Sequence, residues 1–538
     1  MDNDRRLLSL FPESIPAEHD IAQPLEHQGY LLDGSIRSWD GETQTILTPI
    51  YQRNGEQTSS KELGSCPVQD EQSALAAIEA ASRAYDKGRG LWPTMRVEQR
   101  IQHVEEFCRL MIAKRDEVVR LMMWEICKSL ADSRNEFDRT VDYIKCTVDA
   151  LKDLDRASSR FVVEQGILAQ IRRAPLGPVL CMGPFNYPIN ETFSTLIPAL
   201  IMGNPVIIKT PRLGKLLYAP LLEAFRDAFP TGVVNLLFGD RRVAQPIMRS
   251  GEVNVLAFIG SSQAADALRV THPRPHRLRC VLGLDAKNAG IVLDSADMDL
   301  TVSEVLAGAL SFNGQRCTAL KIIFVAHKRV AEFLQKIDAG IQKLKMGMPW
   351  DEGVKITPLP VPGKVEYLHG LIRDAEQHGA KVVNTNGGAS AASLFHPAVV
   401  YPVNEQMQLY HVEQFGPVIP VVPFDDISQP IDYILNSNYG QQLSIFGTDP
   451  DQTAALVDPM VNQVCRVNIN CQCQRGPDSF PFTGRKDSAE GTLSVSDALR
   501  CFSIRTLVAA KATPGNKELV SSIVRDRKSN FLSTDFLF

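Results

Sequence analysis

Between residues 178 and 270, short apolar runs alternate with helix-like segments. The run PVLCMG (178–183) precedes an apolar segment after Asn190, and NPVIIK (204–209) precedes 218–229. Residues 232–238 then precede 243–250, and 253–260 precede 264–270. This alternation constrains the fold more than any other feature of the chain. Strands that read as continuous apolar runs are buried on both faces, and strands joined through helices form a parallel sheet with helices on either side. Ligands of such sheets sit in crevices at the carboxyl ends of the strands. A second α/β unit is expected downstream, with strands at 289–293 and 321–326, helices at 303–312 and 330–344, and later strands at 418–423 and 443–447.

The remaining segments read differently. Residues 1 to about 30 contain Pro12, Pro16 and Pro24 and are expected to be irregular. Helical patterns run over 71–86, 96–128 and 136–154, the second with Ile101, Val104, Phe107, Cys108 and Met111 on one face. From Phe161 the sequence RFVVEQGILAQIRRAP alternates apolar and polar residues and predicts an extended ribbon. After Leu507 the chain is polar until NFLSTDFLF, whose aromatics suggest docking on a partner subunit, with disorder as the alternative.

Composition narrows the functional classes. With 538 residues and 44% hydrophobic content, the chain can build two or three cores, because a single core stops growing at about 250–300 residues. A net charge of −5 gives no bulk reason to expect nucleic acid or an acidic membrane as partner. Apolar runs such as 196–202 fall short of the ~20 residues that span a bilayer. The opening MDNDRRLLSLFPESIP lacks the apolar core and cleavage site of a secretory signal. Eleven scattered cysteines predict free thiols in a reducing compartment, hence a cytoplasmic protein. Cys471-Gln-Cys473 lacks the second pair or histidines that a zinc site needs, and no H-E-x-x-H occurs, so no metal is expected.

Neither G-x-G-x-x-G nor a P-loop is present. Six other landmarks occur in order: FNYPIN (185–190), Lys209, FIGS (258–261), GQRC (314–317), EQFGP (413–417) and PFTG (481–484). Together they resemble the aldehyde dehydrogenase superfamily over roughly residues 40 to 510. FNYPIN, GQRCT and QRGPDSFPF are most similar to its non-phosphorylating, NADP-dependent glyceraldehyde-3-phosphate dehydrogenase branch. The resemblance implies an α/β fold with two Rossmann-like α/β domains and a β oligomerisation arm. It places a cofactor-binding domain at 1–158 and 177–290, a catalytic domain at 291–498, an arm at 159–176 and 499–512, and a tail at 513–538. The arm implies a homodimer or homotetramer, although its strands could instead pair within one chain.

Site residues follow by position. Cys317 matches the nucleophile, whose thiolate adds to an aldehyde and then carries a thioester. Asn186 matches the oxyanion donor, with capping of the next helix as the alternative, although Asn190 is the better cap by position. Lys209 matches the residue at the adenosine ribose. Arg212 stands where NAD-preferring relatives commonly hold a glutamate, so NADP is the expected cofactor. Gly260 and Ser261 match the pyrophosphate loop, and Glu413 and Phe415 the nicotinamide-ribose site. Arg139, Tyr187, Arg316 and Arg475 match the grip on a substrate phosphate, where each arginine alone could be an ordinary ion pair.

One position departs from the family. The relatives' L-E-L-G-G-K reads LGLDAK at 282–287, which puts Gly283 where the water-activating glutamate stands, thirty-four residues before the thiol. Glycine cannot accept a proton. Asp285 could serve instead or be structural, coenzyme A could accept the acyl group, or the vacated space could admit water or part of the substrate. The expected activity is therefore NADP-dependent oxidation of an aldehyde, of which glyceraldehyde 3-phosphate is the candidate. The alternatives are a coenzyme-A-acylating dehydrogenase and a catalytically impaired binding or regulatory protein.

Overall fold

The computed structural model describes residues 2–55 and 57–535. An eight-stranded sheet runs in the order Ala489–Glu490, Arg279–Gly283, Val255–Ile259, Val179–Met182, Val206–Lys209, Val234–Leu237, Gly29–Leu32 and Ser35–Ser38. Its five central strands are parallel. Val179–Met182 lies in the middle. The chain moves outward through Val206 and Val234, then returns to the other side at Val255. The strand order therefore reverses between Val179–Met182 and Val255–Ile259, and that reversal opens a crevice at their carboxyl ends.

A second sheet, of seven strands, runs Lys381–Val382, Ala398–Tyr401, Val418–Phe424, Leu320–Ala326, Asn288–Val292, Gln442–Phe446 and Arg466–Ile469. Only residues 284–287 separate Gly283 from Asn288, so the carboxyl end of one sheet leads directly into the amino end of the other. Leu320–Ala326 pairs with Asn288–Val292, which brings the segment before Leu320, and Cys317 with it, to the same junction. One apolar core fills the first sheet and its helices, and two more cover the faces of the second. The expected stripe of Ile101, Val104, Phe107, Cys108 and Met111 is buried on Val97–Ile112, where Phe107 stacks on Phe225 at 4.4 Å between centroids.

Several segments differ from their sequence reading. Residues 1 to 30 are not wholly irregular: Asp2–Leu8 is helical, and Leu25–Glu26 and Gly29–Leu32 are strands. Thr43–Asn54 and Gln57–Pro67 form a long bulged hairpin whose mostly half-exposed residues carry no strong apolar alternation. The 96–128 pattern is two helices, Val97–Ile112 and Arg115–Ile126. Beyond the arm, Thr513 caps a helix over Pro514–Arg525. The following segment makes contacts to its own chain. Asn530 Nδ2 donates to the Thr94 carbonyl at 2.9 Å, and Gln170 Nε2 donates to that of Ser533 at 2.6 Å. Phe536, Leu537 and Phe538 of the aromatic tail lie outside the described residues. Phe161–Glu164, Ile167–Pro175 and Ser503–Lys511 make a three-stranded antiparallel sheet. Among the described residues, no helix is long and apolar enough to cross a membrane.

Candidate active site

The crevice at the strand reversal widens into a cavity of about 570 Å³ that reaches Cys317. Asn186, Gly260, Ser261, Glu413, Phe415, Arg139, Tyr187, Arg316 and Arg475 also line it. Lys209 and Arg212 do not: they lie one strand further along the sheet, at and beyond the end of Val206–Lys209.

The thiol is presented by a tight left-handed turn. After the helix Met298–Leu310, three residues in succession have positive φ: Phe312 (48°), Asn313 (56°) and Gly314 (69°). A bulky residue such as phenylalanine rarely adopts that region and stays there only where its surroundings hold it. Here Asn313 does the holding, exchanging hydrogen bonds with Thr357: its Nδ2 donates to the Thr357 carbonyl and its Oδ1 accepts from the Thr357 N–H, both at 3.0 Å. Gly314 is needed sterically as well, since a Cβ there would lie 2.7 Å from the carbonyl oxygens of Ala309 and Gly416. The Cys317 carbonyl accepts from Asn288 Nδ2 and from Lys321 Nζ, each at 2.8 Å. Burial pushes the Cys317 thiol up to about 11. The Glu191 carboxylate adds to the rise and the Lys321 ammonium opposes it.

Asn186 reaches the same loop from the other sheet, donating one Nδ2 hydrogen to the Gln315 carbonyl at 2.8 Å. An amide nitrogen carries two hydrogens, so one remains for a ligand. The FNYPIN turn is held from below by a buried ion pair. Lys128 Nζ meets Glu136 Oε2 at 2.5 Å, donates to the Asn186 carbonyl at 2.8 Å, and lies 3.4 Å from the Tyr187 ring centroid. Glu136 Oε1 accepts from the N–H groups of Ile189 (3.0 Å) and Asn190 (3.2 Å). This carboxylate, rather than the side chain of Asn190 or Asn186, caps the helix Asn190–Ile201. Neither stands in a motif: Lys128 lies in the loop after Arg115–Ile126 and Glu136 in the next helix, and only the fold brings them onto the FNYPIN turn.

The arginines are already engaged. Arg139 grips Asp478 through Nε (3.0 Å) and Nη2 (2.7 Å). Arg475 faces Asp478 at 3.3 Å and pairs with Glu191. Arg316 donates Nη2 to the Gly308 carbonyl at 3.0 Å. Its Nε is buried without a hydrogen-bond partner among the described residues.

On the cofactor side, Glu413 is half-buried against Lys321 Nζ at 2.6 Å, and desolvation raises its carboxyl while Lys321 draws it down. Lys209 is 8% exposed, and burial lowers its ammonium to about 8. Arg212 is exposed. Lys215, three residues beyond Arg212, donates Nζ to Gln44 Oε1 at 2.8 Å. Ser261 caps Ser262–Thr271. Gly283 closes its strand beside Ile259 with ordinary φ. A Cβ there would meet Ile259 at 3.4 Å and Leu493 at 3.8 Å, so the backbone does not demand glycine. Asp285 also lines the cavity, but its Oδ2 accepts both the N–H and the Oγ–H of Ser262 at 2.8 Å. That is the structural arrangement rather than a free base.

Relatives share this architecture. The sequence profile of the aldehyde dehydrogenase family matches residues 52–508. An NADP-dependent glyceraldehyde-3-phosphate dehydrogenase from Streptococcus equinus is 31% identical over 462 residues, covering 85% of this chain and 93% of its own. One of the same name from Arabidopsis thaliana is 27% identical, covering 90% and 96%. The crystal structure of NADP-dependent glyceraldehyde-3-phosphate dehydrogenase from Bacillus halodurans C-125 complexed with NADP superposes with a TM-score of 0.82 at 28% identity, covering 91% of this chain and 100% of that one. On this match across most of its length, the chain belongs to the aldehyde dehydrogenase family.

Proposed function

We propose that this protein oxidises an aldehyde bearing an anionic group, of the glyceraldehyde 3-phosphate kind, with NADP as hydride acceptor. The observation that carries the reading is the convergence of Cys317, Asn186 and three arginines on one cavity at the strand reversal. The names of the relatives from Streptococcus equinus and Arabidopsis thaliana point the same way.

The chain's residues fit the cofactor. The crevice ends in Gly260 and the Ser261-capped helix, and no carboxylate occupies position 212, where exposed Arg212 can meet a 2′-phosphate. Bound NADP would supply the acceptor for the hydride. Cys317 Sγ, once deprotonated, bonds to the aldehyde carbon. The resulting oxyanion is stabilised by the free Nδ2 hydrogen of Asn186 and the Cys317 N–H. Loss of hydride leaves an acyl thioester on Cys317. Water attack on it releases the acid and restores the thiol.

Gly283 supplies no base for that last step, and Asp285 is committed to Ser262. Release is therefore the slow step of this account. The same observation favours a second reading, acyl transfer to the thiol of coenzyme A, which needs no base at position 283. Product analysis with and without coenzyme A separates the two: acid alone supports hydrolysis, and an acyl-coenzyme A supports transfer. The absence of NADPH from any aldehyde, with NADP still bound, would turn the reading toward a binding protein. We infer that the domain division near residue 290 follows the two sheets and that the exposed arm pairs two copies of the chain.

A further inference from the structure

Glu191 was not singled out by its sequence context, yet it lines the cavity. It stands in the first turn of Asn190–Ile201, and its carboxylate touches Arg475 Nη1. Both side chains are nearly buried, at 9% and 4% exposure. Asp478 lies on the other side of Arg475, 3.3 Å from Nε, and is itself held by Arg139. The positive charges of Arg139 and Arg475 are thus matched by the negative charges of Glu191 and Asp478. Arg316 pairs with no carboxylate in this group, and its buried Nε has no hydrogen-bond partner among the described residues. Arg475 Nη2 also donates to the Leu493 carbonyl at 3.3 Å, so all three guanidinium nitrogens of Arg475 face acceptors of its own chain. An anion that takes Arg475 as its partner in this cavity must share it with the Glu191 carboxylate.

We propose that Glu191 is a specificity-determining residue whose carboxylate competes with the phosphate of a phosphorylated aldehyde for Arg475. Arg316 is then the primary phosphate anchor, and Arg475 contributes only to the extent that Glu191 yields. The inference rests on the reading above that this cavity takes an anionic aldehyde. Two negative charges sharing one buried guanidinium repel each other. Glutamine keeps the size of the side chain and removes that repulsion.

The test is calorimetric titration of the full-length protein with glycerol 3-phosphate, which carries the phosphate but no aldehyde, so binding is read without turnover. In Glu191→Gln the dissociation constant should fall about tenfold or more, a gain that a merely structural role for Glu191 would not produce. An unchanged or weaker constant overturns the proposal. Glu191→Ala carries the same expectation and serves if the glutamine variant does not fold. In parallel, the ratio of kcat/KM for glyceraldehyde 3-phosphate over glyceraldehyde should rise through KM. If no aldehyde yields NADPH but glycerol 3-phosphate binds more tightly to the variant, the oxidation reading falls and the competition stands. If oxidation proceeds and binding does not tighten, the competition alone falls.

Discussion

Cys317 is protonated at rest, because burial and the Glu191 charge hold its thiol up to about 11. Only the thiolate alkylates or attacks carbonyls. Its alkylation by iodoacetamide should therefore rise roughly tenfold per pH unit from neutrality to about pH 10, with Cys317→Ala as the blank, as the thiolate fraction grows toward that pKa. A plateau near pH 8 would contradict the environment described. At position 283 a Cβ fits against Ile259 and Leu493, so Gly283→Glu should fold and place a carboxylate toward the cavity. Steady-state NADPH formation should then rise by about 10²-fold, the lower end of what a general base supplies. No change would mean that another group already assists release. At this scale much of the site was legible in the sequence, because Cys317, Asn186 and Glu413 stand in ordered motifs. Glu191 was not: it sits in an ordinary helical turn, and its meaning depends on Arg475, far away in the chain.

Two elements position the reacting groups. The FNYPIN turn rests on Glu136 and Lys128, which are 0% and 1% exposed. Glu136→Ala would leave the Lys128 ammonium buried without its counter-charge and the Ile189 and Asn190 N–H groups without an acceptor. Unfolding in urea should show a loss of about 3–5 kcal/mol, with activity falling alongside. A loss below about 1 kcal/mol would mean that the pair behaves like a surface ion pair. The turn before the thiol is equally specific. Gly314 could be named from sequence as part of GQRC, but its necessity could not, because it comes from carbonyls of Ala309 and Gly416 that only the fold brings near. The parallel strands were legible from their continuous apolar runs. The 43–67 hairpin was not, since its residues face solvent as often as core and leave little periodicity to read.

The molecule works by joining two sheets end to end. The carboxyl end of one strand, Gly283, and the amino end of another, Leu320, share the junction where the cavity opens. The arm lies elsewhere. Val163, Ile167 and Leu507, one on each of its three strands, are 59%, 40% and 56% exposed. The proposed pairing of two copies would cover these side chains and the open strand edges. Light scattering should give a dimer or tetramer that Leu507→Glu shifts toward monomer, and a wild-type monomer would remove the arm's proposed role. Whether the junction is the reaction centre is read by single-turnover kinetics with intact-mass detection. With NADP and glyceraldehyde 3-phosphate, a burst of NADPH should be matched by an acyl adduct on Cys317, both absent in Cys317→Ala. An undiminished burst in that variant, or an adduct on another residue, would contradict this expectation.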